Sequence, residues 1–151
     1  MRALIMAGFA GAACVLAASA LAAGPADEAV LARQTTLKSM GKAFKEIHGI
    51  VGGDIGAQRT TLVADAHQLR TLAPQAWTKF GPETAKTGLK TEALPVIWTD
   101  AAGFKAAQTK LVNAVDALDA VAASGAPDTV AGKAADVGAA CGGCHKIYRK
   151  K

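Results

Sequence analysis

Little in these 151 residues suggests a fold built from strands or stapled by disulfides. Runs of β-branched residues are short, and neither Asn-Gly nor Asp-Gly, the strongest hairpin signals, occurs. Cysteine is scarce: Cys14 lies in an N-terminal apolar run, which leaves only Cys141 and Cys144 beyond it. With His48, His67 and His145 as the chain's three histidines, a four-ligand zinc site has little to draw on. Basic runs are also missing until Arg149-Lys150-Lys151, so nucleic-acid binding is not indicated. What is abundant is alanine, a strong helix former.

The most informative stretch is Cys141-Gly142-Gly143-Cys144-His145. C-x-x-C-H is the attachment signal for c-type haem, a covalently held cofactor. Thiols three residues apart on a helix share a side and can each add to one vinyl group of a porphyrin lying there. His145, the next residue, is then close to the iron, and neutral imidazole is a good iron ligand. A thioredoxin-like redox pair is disfavoured because no strand signal precedes Cys141. A plain disulfide remains open from spacing alone, but gives the following histidine no purpose.

The N-terminus agrees with this reading. Residues 1–23 carry one cation, Arg2, then an uncharged run from Ala3 to Leu21, and close on Ala20-Leu21-Ala22-Ala23. This is the pattern of a cleaved secretory signal peptide. A membrane anchor is the competing reading, since about 18 to 20 apolar residues span a bilayer, but small residues dominate and no stop-transfer charges follow. Cys14 follows Gly11-Ala12-Ala13, which lacks the leucine of a lipobox, and counts as part of the apolar run. Because c-type attachment is completed outside the bacterial cytoplasm, the expected location is the periplasm, with no membrane association after cleavage. Residues 24–151 then form one domain, in which 16 Lys and Arg face 12 Asp and Glu.

Four segments place apolar residues at alternating spacings of three and four, the mark of one buried helix face. The first, about Asp27 to Gly49, carries Val30, Leu37, Met40 or Gly41, Phe44, Ile47 and Val51. The second, about Asp54 to Ala73, carries Ile55, Arg59, Leu62, Ala66, Leu69 and Ala73. The third, about Thr99 to Ser124, starts at the capping candidate Thr99 and carries Phe104, Gln108, Leu111, Val115, Leu118 and Ala122. The fourth, about Asp128 to Lys150, carries Val130, Ala134, Val137, Cys141, Cys144 and Tyr148, with Arg149-Lys150-Lys151 suited to its dipole. The expected fold is an all-α, antiparallel four-helix bundle with a long crossover from Pro74 to Trp98 between helices two and three. Both cysteines lie on the fourth stripe, so the haem is expected between helices.

Four groups of residues together resemble the cytochrome c prime family, the class II c-type cytochromes. They are Arg33-Gln34-Thr35-Thr36-Leu37, Trp77-Thr78-Lys79-Phe80-Gly81-Pro82, Ile97-Trp98-Thr99-Asp100 with Phe104, and Val137 through Lys150 around the haem motif. The resemblance spans essentially all of residues 24–151. It implies one haem c held by Cys141 and Cys144, with His145 as proximal iron ligand and Arg149 beside that imidazole. It further implies Arg33 at a haem propionate, Trp77 against the haem, and Leu37 on the distal side of the iron. Without the family, Arg33 and Arg149 read as exposed helix charges, and Trp77 and Trp98 as core anchors.

Low-spin relatives carry methionine where Leu37 stands, so leucine here implies a five-coordinate, high-spin iron. Met40, one turn on, is the competing ligand and otherwise core filler; His48 and His67 read as surface residues. The function implied is electron transfer or binding of NO or CO, with an unidentified redox partner and a homodimer packed through the first two helices. A low-spin, methionine-ligated carrier is the alternative. A haem enzyme such as a peroxidase or NO reductase is the other, but that face of the first helix offers no histidine or carboxylate for acid–base work, so no enzyme is expected.

Overall fold

The structure, a computed structural model, describes residues 24–151; the signal-peptide reading of residues 1–23 lies outside them. Four long helices account for most of the chain: α1 (Pro25–Val51), α2 (Arg59–Trp77), α4 (Ala101–Ala122) and α5 (Pro127–Tyr148). A single turn, α3 (Val96–Thr99), and a 3-10 turn (Pro82–Ala85) lie in the crossover. The helices form an antiparallel four-helix bundle in which α1 packs on α2 and α5, and α4 on α2 and α5. No helix among the described residues is long and apolar enough to cross a membrane.

The apolar periodicity builds the core. All six stripe positions of α4, from Phe104 to Ala122, are buried, as are Leu62, Ala66, Leu69 and Ala73 of α2. On α1 the buried line is Val30, Arg33, Met40, Ala43, Ile47 and Ile50. The expected Leu37, Phe44 and Val51 are only half-buried. The stripe is therefore rotated, and Leu37 stands at the margin of the core.

Each helix end has a local cause, and several differ from the sequence expectation. Asp54 does not open α2: its Oδ1 accepts from the Ala57 amide at 3.1 Å, which folds residues 54–58 into a turn before the helix starts at Arg59. Pro74 does not close α2 either. The helix runs on to Trp77 because Ala73 and Ala76 are buried against the bundle, and that packing offsets the bond the proline cannot donate. The cap of α4 is Asp100 rather than Thr99, with Oδ1 accepting from the Gly103 amide at 3.0 Å. Finally, α5 ends at Tyr148; Arg149 is already extended and bridges to Ala93 in antiparallel fashion.

Candidate haem site

The last two turns of α5 present the C-x-x-C-H residues at the seam between two core clusters. Cys141 packs with the large interior cluster that includes Met40, Leu37 and Trp77. Cys144 packs with a smaller one built from Ile97, Phe104 and Tyr148, edged by Phe80 and Trp98. Both thiols are free and half-buried, and burial is the main cause that pushes each of them above the ordinary thiol range. They thus lie at the margin of the bundle, not at its centre as the stripe suggested. His145 is exposed. Partial desolvation first, then the nearby Arg149 charge, lower its pKa, while Glu92 opposes them. At neutral pH the imidazole is uncharged, the form that can ligate a metal.

Arg33 is not the exposed helix charge that its residue type suggests. It is 1% exposed. Nη1 donates to Thr84 Oγ1 at 2.9 Å, and Nη2 to Thr91 Oγ1 at 3.3 Å. The guanidinium lies 4.6 Å from the Phe80 ring centroid and 5.8 Å from that of Trp98. Among the described residues no carboxylate pairs with it, and desolvation lowers its pKa. A buried cation held by two hydroxyls, the Lys79 carbonyl at 3.4 Å and two rings, with no counter-ion, is an incomplete arrangement. A carboxylate from a bound group would complete it, and the planar fork is suited to that geometry.

Leu37 follows Arg33 by one helical turn and is half-buried against the interior cluster, which also takes in Cys141. Met40 is more deeply buried than Leu37, in keeping with core filler. Trp77, at the end of α2 and not in the crossover, packs against Phe80 and Phe104, at centroid distances of 6.2 and 6.3 Å. Its indole Nε1 is buried with no hydrogen-bond partner. Trp98 differs, for its Nε1 donates to the Phe80 and Gly81 carbonyls at 3.2 and 3.1 Å; it is a satisfied core anchor. His48 and His67 are exposed, the latter 3.9 Å from Asp119.

Arg149 lies near His145 but is engaged by Glu92: Nε donates to Glu92 Oε2 at 2.7 Å. It therefore anchors the chain end to the crossover, a role the expected helix-end cation lacked. Periodicity also missed the polar partners Thr84, Thr91, Glu92 and Asp100. No pattern in the sequence marks the first three; Asp100 carried a signal as a capping residue next to Thr99.

These residues fit a covalently attached haem. Two free thiols and a neutral imidazole lie on one helix end, a buried guanidinium lacks its anion, and an indole N–H lacks its acceptor. Cys141 and Cys144 would hold the porphyrin, His145 the iron, and Arg33 a propionate.

Comparison with known proteins bears on the same residues. The family model described as Cytochrome C' matches residues 28–149. The cytochrome c' of Alcaligenes xylosoxydans xylosoxydans is 35% identical over 125 residues, 83% of this chain and 95% of that protein. That of Rubrivivax gelatinosus is 34% identical over 124 residues, 82% and 95% of the two chains. A solved nitric oxide complex of a leucine-to-isoleucine variant of cytochrome c prime from Alcaligenes xylosoxidans has a TM-score of 0.75 at 35% identity, covering 83% of this chain and 97% of that one.

Proposed function

Because the chain belongs to the cytochrome c' family, we propose that it is a periplasmic haem protein acting in electron transfer or small-gas binding at a five-coordinate, high-spin iron. Members of the family carry a covalently bound c-type haem, and here Cys141 and Cys144 attach it with His145 as the protein's iron ligand. When bound, the haem supplies an iron that cycles between ferric and ferrous and takes a small ligand. The gases are NO and CO; the solved nitric oxide complex of a relative supports that choice. The mature protein is residues 24–151 after removal of the signal peptide, and it forms a homodimer.

The observation that carries this reading is Leu37, one turn after the buried Arg33 and half-buried at the core margin near Cys141. Leucine has no donor atom, so it leaves the iron one protein ligand while its hydrocarbon crowds the open side. Within two turns of Leu37, that face of α1 carries Val30, Arg33, Gln34, Met40, Gly41 and Phe44, with no histidine or carboxylate to cleave peroxide, which supports a binding and transfer role rather than catalysis.

Electron paramagnetic resonance of the ferric holoprotein tests it. High-spin or mixed-spin signals are expected. A low-spin signal with a methionine-to-iron charge-transfer band brings Met40 forward as a ligand and rejects the five-coordinate site. Brisk peroxide-driven oxidation of a reporter dye favours an enzyme instead.

A further inference from the structure

We infer that the exposed end of α5, from Gly142 to Lys151, is a docking surface for an acidic redox protein. The inference rests on the electron-transfer arm of the proposed function. Ile147 is 54% exposed, one of only two large hydrophobic residues so placed among the described residues. It stands two residues after His145, and its neighbours are cationic. Lys146, Lys150 and Lys151 are exposed. None of the three is in an ion pair among the described residues, and no acidic residue occurs from Val137 to Lys151. Of the two acids that the fold brings to this end, Glu92 is engaged by Arg149, and Asp100 accepts from the Tyr148 hydroxyl and the Gly103 amide. Backbone pairing of Lys150 with Glu92, at 2.7 Å, brings the crossover alongside and with it Lys90, also exposed.

The result is an apolar spot rimmed by unpaired positive charge. Transient partners meet on such surfaces: the rim steers an anionic partner and the dry centre holds it briefly. The other exposed apolar residue, Leu31, has no comparable ring, since its helical neighbours Asp27, Glu28, Gln34 and Thr35 are acidic or neutral.

The two residues between the cysteines support the same face. Gly142 and Gly143 are exposed, and a methyl group on either meets nothing within 4 Å. Neither has a positive φ. Neither packing nor backbone conformation within the chain requires glycine there, although glycine weakens a helix interior relative to alanine. What the pair does provide is a bare strip of helix directly outside the two thiols, where a partner's surface can approach closely. Electron transfer falls steeply with distance, so a bare strip beside the attachment point shortens the path.

Rates of reduction of the ferric holoprotein test the surface, with reduced flavodoxin, a small acidic flavoprotein, as one donor and neutral photoreduced lumiflavin as the other. Between about 0.01 and 0.3 M ionic strength, where the Debye length shrinks from about 30 Å to under about 10 Å, the flavodoxin rate is expected to fall about tenfold or more. The lumiflavin rate is expected to hold. A Lys146→Glu, Lys150→Glu double variant should lose about tenfold with flavodoxin at low salt. Ile147→Asn should slow flavodoxin at every salt concentration, and both should leave lumiflavin unchanged. A control double variant on α4, Lys105→Glu with Lys110→Glu, should stay within about twofold of wild type.

If the control slows flavodoxin as much as the α5 variant, or salt has no effect, the docking surface is wrong. Reduction by lumiflavin but not by flavodoxin at any salt also overturns it and leaves the electron-transfer reading standing. Failure of both donors to reduce the wild-type iron removes that reading, and the docking surface with it. Salt-sensitive self-association that the same lysine reversals abolish makes the occupant a second copy of this chain, and overturns the proposed partner.

Discussion

Tyr148 Oη donates to Asp100 Oδ2 at 2.7 Å, joining the last residue of α5 to the cap of α4. Asp100 serves two donors, since its other oxygen holds the Gly103 amide, and the Tyr148 ring packs on Phe104 at a centroid distance of 5.1 Å. The turn that carries Cys144 and His145 is thus fixed to the start of α4 by a side chain three residues beyond the histidine.

This bond predicts an alkaline signature. The hydrogen bond to Asp100 comes first among the causes that push the Tyr148 pKa up to about 12, and Tyr148 is the only tyrosine in the chain. A group whose folded pKa is raised contributes stability that is complete below its unfolded value, about 10 for tyrosine, and is lost as pH rises toward 12. Ultraviolet titration of tyrosinate should therefore give a single step near pH 12. Denaturation midpoints should decline between about pH 10 and 12 in the wild type and lose that decline in Tyr148→Phe. Gly103→Ala offers a second route, because a methyl there lies 2.6 Å from the Tyr148 hydroxyl and should return the titration toward 10. A wild-type step at about 10 contradicts the bond.

Arg33 sets a second expectation. Its guanidinium is buried against Thr84, Thr91, Phe80 and Trp98 with no carboxylate partner among the described residues, and the proposed haem would place a propionate there. A neighbouring arginine lowers a carboxylate pKa by about 1 to 3 units. In Arg33→Leu the pH-linked change in the haem absorption band should move up by about that amount, with Arg33→Lys intermediate because a single ammonium cannot form the fork. An unmoved transition in Arg33→Leu removes the propionate from this residue.

How much of this was legible follows from where each partner lies. The α4 stripe from Phe104 to Ala122 is a local pattern, and every member is buried as its period implies. The haem motif is five contiguous residues and needs no tertiary information. Arg33 is the opposite case. Its burial depends on hydroxyls 51 and 58 residues away, in a segment without periodicity, so only the family resemblance separated it from an exposed helix charge. The end of α5 was misplaced for a related reason: Arg149 leaves the helix because Ala93 and Glu92 engage it. The extension of α2 through Pro74 was hidden because the local rule for proline stops the helix, whereas burial of Ala73 and Ala76 continues it.

Arg59 links two helix ends. Nη1 donates to the carbonyls of Ala122 and Gly125 at 3.0 and 3.1 Å, satisfying the last carbonyl of α4 and one in the turn that leads to α5. Hydrogen bonds from a charged donor are worth about 1.5–3 kcal/mol. Arg59→Ala should lower unfolding free energy by about that range in urea titration of the holoprotein, with the ferric spectrum unchanged because the link is far from α5's C-terminal turns. A loss below about 0.5 kcal/mol would place the pair with ordinary exposed contacts.

Leu37 and Met40 differ by three residues and by burial, and the two roles separate in one pair of variants. Met40 is buried in the interior cluster, so Met40→Ala should cost about 2–5 kcal/mol of stability through the cavity it leaves. Its CO association rate should stay close to wild type. Leu37 is half-buried at the core margin, and Leu37→Ala removes less packing. If its hydrocarbon crowds the open side of the iron, its loss should speed CO association by about tenfold, the effect of lowering a barrier by about 1.4 kcal/mol. Flash photolysis of the ferrous CO complex measures the rates, and urea titration the stabilities. Both effects falling on Met40→Ala, with Leu37→Ala silent in the gas rate, would move the distal position one turn along α1.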